Sequence, residues 1–170
     1  MPNESTLSKK QVLAPAIAAA FVMIMAPMLP QGAFAAPTLH GGLNCHLNGN
    51  ELECTGDVSG LGSATSATGT LSAKVVVTTG CVTPSGSNEP KGLQRTTTTV
   101  SNEQTVNVEG GRATFDITLS AGDAADLRDC PSANMEPVIV CVTFSDVSLT
   151  VEPNSGPSRT FSAKGTFSSC

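Results

Sequence analysis

Six cysteines constrain the fold of this 170-residue chain more than any other feature. They are separated by 9, 27, 49, 11 and 29 positions, and they are Cys45, Cys54, Cys81, Cys130, Cys141 and Cys170. Structural zinc sites need ligands in close pairs such as C-x-x-C, and this spacing has none. An even number of widely spaced cysteines predicts three disulfides, provided that the chain reaches an oxidising compartment.

The N-terminus predicts such an export. Lys9 and Lys10 precede an apolar run from Val12 to Leu29, and Ala33-Phe34-Ala35 closes the segment. A basic start, an apolar centre and small residues at the cut are what signal peptidase recognises. We therefore expect residues 1–35 to be a signal peptide, cleaved between Ala35 and Ala36.

A retained membrane anchor is the alternative, because an apolar run of 18 residues approaches the length that spans a bilayer. Internal prolines and the Ala-x-Ala site favour cleavage, after which no stable membrane insertion is expected. The mature chain would keep 135 of the 170 residues, with seven of the nine basic and thirteen of the fourteen acidic side chains, a net charge of −6.

Local geometry supports one cysteine pair. If Gly49-Asn50 forms a two-residue hairpin turn, Cys45 lies opposite Cys54. A turn at Asn48-Gly49 would instead place Leu52 opposite Cys45, and the pair would fail.

The other cysteines leave two arrangements open. A bond between Cys81 and Cys130 would close a loop of about 49 residues and leave Cys141 with Cys170. A bond between Cys54 and Cys170, joining the first long strand to the last, is the competing arrangement.

Short β-segments separated by Gly, Pro, Asn and Ser make up the mature sequence. Apolar and polar residues alternate from Arg112 to Leu119, which is typical of a half-buried strand. Val138, Val140, Val142 and Phe144 alternate too, but Val147, Leu149 and Val151 have the opposite parity, so a bulge or a bend into another sheet is expected at Ser145-Asp146. Further predicted strands are Leu43–Leu47, Leu52–Val58, Thr68–Thr79, Thr96–Val108 and Arg159–Phe167.

About seven strands without helical periodicity predict an all-β, two-sheet antiparallel sandwich. We assign residues 36–50 to an N-terminal tail and first hairpin strand, and residues 51–170 to the sandwich domain. The threonines at 96–99 predict an edge or exposed strand rather than an ice-binding or sugar-decorated surface.

Several segments resemble a group of small exported bacterial proteins of actinobacterial type with no assigned activity. In order, they are Cys54-Thr55-Gly56-Asp57-Val58-Ser59-Gly60-Leu61-Gly62, Cys81-Val82-Thr83-Pro84-Ser85-Gly86, Gly111-Arg112-Ala113-Thr114-Phe115, Cys130-Pro131, and residues 142–151. The resemblance implies an immunoglobulin-like sandwich and a Cys81–Cys130 disulfide, and it supplies no catalytic residue. Cys45, Cys141 and Cys170 depart from the group's pattern.

Composition and motifs favour a protein without catalysis or cofactor. Nucleic-acid binding is not expected, because the chain is net negative and has no Trp or Tyr. With His40 placed in a mobile tail and His46 in the first hairpin, a nucleophilic triad is not expected. Glu51 and Glu53 share a strand face and are interpreted as solvated carboxylates.

Calcium is the sharpest metal hypothesis, at Asp123, Asp126 and Asp129. Three carboxylates at three-residue spacing supply hard oxygen ligands, but the D-x-D-x-D-G loop is absent. We therefore favour a solvated helical turn and predict no metal.

The predicted protein is secreted, or held at the cell surface, and acts as an interaction or structural protein. Its partner would be an unidentified extracellular or cell-envelope protein. The alternative is a secreted protease inhibitor that presents the loop Thr83–Gly92, anchored at Cys81.

Overall fold

A computed structural model describes residues 36–84, 91–124, 130–132 and 134–170. The predicted signal peptide over residues 1–35 therefore lies outside the described residues, as does Ala35 at the cut, while Ala36 is the first residue described. Among the described residues, no helix is long and apolar enough to cross a membrane.

Strands account for most of the described chain, as the alternating pattern predicts. Eight strands and one 3-10 turn at Gly122–Ala124 follow in order: β1 Thr38–Asn48, β2 Glu51–Ser59, β3 Ser66–Val82, β4 Lys91–Asn107, β5 Arg112–Ser120, β6 Glu136–Pro153, β7 Arg159–Ser162 and β8 Phe167–Ser168.

The strands form two antiparallel sheets. The first has the order β1-β2-β5, and the second has the order β4-β3-β6-β7 with β8 also paired to β6. The predicted all-β, two-sheet antiparallel sandwich with disulfides is thus confirmed.

Alternate residues of the strands fill the space between the sheets. In β5, Ala113, Phe115, Ile117 and Leu119 are buried, as their alternation predicts. The largest fully buried side chains come from both sheets, and Phe115 and Phe144 are the two aromatic rings among them. Each sheet is apolar on one face only. The two apolar faces pack against each other, and the opposite faces remain polar.

The predicted irregularity at Ser145-Asp146 is a bulge within one sheet. Ser145 pairs with Lys74 and Ser148 with Ser72, so two residues of β6 oppose the single residue between them on β3. Asp146 has φ 52°, in the left-handed region. The bulge reverses the parity of β6, which lets Val147 point inward after Phe144.

A second bulge interrupts the alternation that the sequence predicts before Val142. Cys141 pairs with Thr78 and Ile139 with Thr79, which leaves Val140 as the extra residue. Ile139 packs against the core, whereas Val140 is 39% exposed. The prediction that Val140 shares the buried face of Val142 and Phe144 is therefore wrong.

The N-terminal strand is longer than predicted. β1 begins at Thr38, so His40 lies in a strand and the expected mobile tail around it is wrong. Gly41 and Gly42 have positive φ and allow a bulge between His40 and Asn44. Arg159 also holds this end, because its guanidinium donates a 2.8 Å hydrogen bond to the carbonyl oxygen of Pro37.

The last predicted strand is divided in two. β7 and β8 replace the continuous strand expected over Arg159–Phe167. Gly165, with φ 96°, lies in the connection between them, a conformation that favours glycine.

All six cysteines form disulfides, which are Cys45–Cys54, Cys81–Cys130 and Cys141–Cys170. Cys45 faces Cys54 across the hairpin turn at Gly49-Asn50, the register predicted from the sequence. The competing bond between Cys54 and Cys170 does not form. Each bond fastens a different region: the first hairpin, the segment after β5, and the C-terminus.

Candidate functional site

A group of polar side chains lies on the exposed face of the first sheet. We call it the polar cluster, and its members are His40, Asp57, Ser59, Arg112 and Thr114. Strand pairing brings them together, since His40 faces Asp57 on β2 and Asp57 faces Thr114 on β5. The bulge in β1 is essential to this placement. Without it, the hairpin register would place Ser59, and not Asp57, opposite His40.

Two short hydrogen bonds organise the polar cluster. Nε2 of His40 lies 2.5 Å from Oγ of Ser59. Oγ1 of Thr114 donates to Oδ1 of Asp57, also at 2.5 Å. A cavity of about 230 Å³ is lined by His40, Asp57, Val58, Arg112 and Thr114.

The polar cluster has some elements of a nucleophilic site but not their usual arrangement. In a serine triad, the carboxylate accepts a hydrogen bond from the second ring nitrogen of the histidine. Here the hydrogen bond to Asp57 comes from Thr114 instead. The cluster therefore places a cation, a carboxylate and hydroxyl groups together, and these can bind a polar ligand.

Of the two glutamates on β2, Glu51 is exposed and Glu53 is half-buried. Oε2 of Glu53 lies 2.9 Å from Nε2 of His46, and the histidine side chain is 66% exposed. Asn48 also donates to Glu53, at 3.1 Å. The proposed calcium ligands Asp126 and Asp129, like the side chain of Asp123, lie outside what the structure describes.

Among the side chains that the structure describes, no group of three His, Cys, Asp or Glu residues is placed to hold a metal ion.

Two amide side chains of β4 cover the outer edge of β5. Nδ2 of Asn102 donates to the carbonyl oxygen of Thr118 at 2.9 Å. Oε1 of Gln104 accepts from the main-chain N–H of Asp116, also at 2.9 Å. These two amides of β4 thus bind main-chain groups along the outer edge of β5, which protects that edge.

Hydroxyl side chains cover the exposed face of the second sheet. Hydrogen bonds join them in pairs across neighbouring strands, at 2.9 Å for each of Thr68 with Thr105, Thr150 with Thr160 and Thr143 with Ser168. Such cross-strand pairs stabilise a solvated sheet face. The prediction that the threonines at 96–99 lie on an edge strand is confirmed, because β4 ends the second sheet.

Comparison with known proteins identifies no family. No protein-family model and no curated protein matches the sequence. Among solved structures, the chain is similar to the sporulation control protein Spo0M from Bacillus subtilis, with 9% identity, a TM-score of 0.30, and coverage of 78% of this chain and 48% of that one. It therefore spans about half the length of Spo0M.

A second similar structure is CsgH from R. palustris. Its identity is 10% and its TM-score is 0.24, with 79% of this chain and 89% of that chain covered.

One of the two cysteine arrangements considered from the sequence matches all three disulfides. The polar cluster was not predicted. His40, Asp57 and Thr114 come from three strands, and only the strand register brings them together.

Proposed function

We propose that this protein is exported and acts outside the cell, or at its surface, as a non-catalytic interaction or structural protein. The observation that carries this proposal is the pairing of all six cysteines in three disulfides. Disulfides persist in oxidising compartments and are rare in the reducing cytosol. The signal-peptide pattern of residues 1–35 supports the same compartment.

An immunoglobulin-like sandwich is part of this proposal. The order β1-β2-β5 corresponds to strands A-B-E, and β4-β3-β6-β7 corresponds to C′-C-F-G. The disulfides depart from antibody domains, because Cys54 on β2 bonds to β1 rather than across the core to β6. The resemblance to small exported proteins of actinobacterial type agrees with this fold.

The arrangement of the polar cluster supports a role without catalysis. Ser59 contacts His40, but the carboxylate of Asp57 is engaged by Thr114. A hydrolase screen should therefore show no turnover above a double variant with Ser59→Ala and His40→Ala. Turnover by the natural protein that disappears in the double variant would contradict a non-catalytic role.

Export is tested by expressing the full chain in a secreting bacterial host. We expect protein in the medium or on the cell surface, with Ala36 as its first residue by N-terminal sequencing. Ala35→Arg is the matched control, because a large charged residue before the cut blocks signal peptidase. Soluble cytosolic protein that retains residues 1–35 would overturn the proposal.

The partner class is tested by cross-linking the secreted protein on living cells and identifying the captured molecules by mass spectrometry. An envelope or extracellular protein captured in repeated experiments supports a surface role. Recovery of all the protein free in the medium, with nothing captured, contradicts it.

Protease inhibition is the second candidate, favoured by the Cys81–Cys130 disulfide beside the loop Thr83–Gly92. Most of that loop, residues 85–90, lies outside the described residues. A stoichiometric loss of subtilisin-like or trypsin-like activity would support inhibition, and full activity at excess protein would exclude those protease classes as targets.

A further inference from the structure

The outer edge of β4 presents main-chain hydrogen-bonding groups to solvent. The amide of Val108 donates to the carbonyl of Thr65 just beyond the β3–β4 ladder, which runs in unbroken register from Asn107 back to Gln94. In an antiparallel pair, residues that exchange hydrogen bonds recur at every second position. Even-numbered residues of β4 therefore bond to β3, and odd-numbered residues direct their N–H and C=O groups away from the sheet.

One part of this edge is already occupied. Oδ1 of Asn102 accepts from the N–H of Glu103 at 2.9 Å. Within the described part of the chain, no hydrogen bond involves the outward main-chain groups of Thr97, Thr99 or Ser101. These three residues are exposed and form the available edge.

The available edge lacks the features that usually protect edge strands. Such strands commonly carry charges, proline or a bulge that prevents pairing with another chain. The segment from Thr96 to Asn102 contains no charge and no proline, and its register with β3 is continuous. By contrast, the edge of β5 is covered by Asn102 and Gln104, and β1 is interrupted by a bulge.

Charge along β4 selects what can pair there. Arg95 and Glu103 lie four residues before and after Thr99, and both are exposed. They share a face of the sheet, because their β3 partners Thr78 and Thr70 have the same parity. The strand is therefore complementary in charge to a second, antiparallel copy of itself.

We propose that a second copy of this chain pairs with β4 in antiparallel register about a two-fold axis at Thr99. Thr99 faces Thr99 of the other copy, Thr97 faces Ser101, and Arg95 faces Glu103 at both ends. All opposed residues are odd-numbered, so the outward main-chain groups of Thr97, Thr99 and Ser101 meet as hydrogen-bonded pairs. Arg95 and Glu103 are opposed through their charged side chains. The two second sheets become one continuous sheet.

Neighbouring registers are less favourable. A shift of two residues in the pairing places Arg95 opposite Ser101 or Thr105, so both ion pairs are lost. A shift of one residue opposes outward groups with groups already bonded to β3, because hydrogen-bonding direction alternates along a strand. The proposed register alone joins the available edge and opposes the two charges. This self-association is independent of the compartment in which the protein acts.

Charge reversal tests the register. Oxidised, secreted protein should be a dimer by analytical ultracentrifugation, and Arg95→Glu or Glu103→Arg should each oppose like charges at both ends. We expect either change to raise the dimer dissociation constant by about 30-fold or more, since two attractive cross-strand pairs become repulsive. An equimolar mixture of the two variants should recover the dimer, because each copy then opposes glutamate with arginine.

The outcomes are decisive in both directions. Weakened single variants and a restored mixed dimer support the proposal, provided that each variant keeps the circular dichroism spectrum and melting temperature of the natural protein. A monomeric natural protein at several hundred micromolar, unchanged association of a single variant, or a mixture that stays monomeric would each overturn it.

A proline substitution tests the edge independently of charge. Thr99→Pro removes an outward N–H and no hydrogen bond to β3, a position at which edge strands tolerate proline. We expect a folded monomer, whereas the matched control Thr99→Ala keeps the N–H and should remain dimeric. A Thr99→Pro variant that dimerises as tightly as the natural protein would contradict pairing through this edge.

Discussion

The ring of Phe115 in β5 packs directly against the main chain of Gly69 in β3. A Cβ atom built on Gly69 would lie 2.5 Å from Cδ1 and 2.7 Å from Cε1 of the ring. These are distances at which atoms overlap, so the two sheets approach closely because position 69 has no side chain. Phe115 is 1% exposed and fills the space that the glycine leaves.

Gly69→Ala is therefore expected to destabilise the protein. The added methyl must displace the Phe115 ring or separate the sheets, and such overpacking typically costs about 1–3 kcal/mol. Urea denaturation of the oxidised protein gives the free energy of unfolding. Ser72→Ala, on the exposed face of the same strand, is the control and should change it by less than about 0.5 kcal/mol. Equal stability of Gly69→Ala and the control would show that the ring is not confined.

Phe115 also illustrates how far the sequence predicts the core. From Arg112 to Leu119 only every second residue is apolar, so the pattern assigns one face of the strand to the core without ambiguity. Residues 138–142 are apolar at both parities, so the bulge at Val140 leaves no signal in the pattern. The partner of Phe115 could not be predicted, because a glycine that accommodates a ring resembles any other glycine within a strand.

The three disulfides should contribute unequally to stability. They close loops with sequence separations of 49, 29 and 9 residues. Loop-closure entropy then predicts losses of about 4, 3.5 and 2.5 kcal/mol on removal of Cys81–Cys130, Cys141–Cys170 and Cys45–Cys54 respectively.

Paired Cys→Ala variants, one pair at a time, test this order by urea denaturation. Mass spectrometry of each variant should show the two remaining disulfides intact. The Cys45–Cys54 variant carries an added cost, because Cys54 is 1% exposed and its truncation leaves a small cavity in the core. If removal of Cys81–Cys130 lowered the free energy of unfolding least of the three, loop closure would not determine the order.

The backbone at Asp146 should tolerate glycine better than a branched residue. Asp146 has φ 52°, which costs an ordinary L-residue about 1–2 kcal/mol and glycine little. Asp146→Gly should therefore be neutral or stabilising, and Asp146→Val should be destabilising by about 1–2 kcal/mol. Thermal unfolding followed by circular dichroism compares the two. Destabilisation by glycine and not by valine would contradict the left-handed conformation at the bulge.

Strand register also explains why the polar cluster could not be predicted. The Cys45–Cys54 register, extended back along the hairpin, would place His40 opposite Ser59. The bulge at Gly41-Gly42 moves His40 opposite Asp57 instead, while its side chain still reaches Ser59. Two adjacent glycines resemble a loop in a sequence, so neither the longer strand nor its shifted register was accessible from the pattern alone.

The two amides that cover the edge of β5 should respond differently to isosteric acids. Gln104 accepts a hydrogen bond from Asp116, so Gln104→Glu keeps an acceptor and should leave the free energy of unfolding nearly unchanged. Asn102 donates to the carbonyl oxygen of Thr118, so Asn102→Asp loses the donor and opposes a carboxylate with that oxygen. Loss of one such hydrogen bond costs a net of about 0.5–1.5 kcal/mol. Urea denaturation at neutral pH of both variants measures the difference, and Thr105→Ser on the opposite face of β4 controls for a change in the strand itself. Equal effects of the two acids would show that these side chains do not bind β5 in the directions observed.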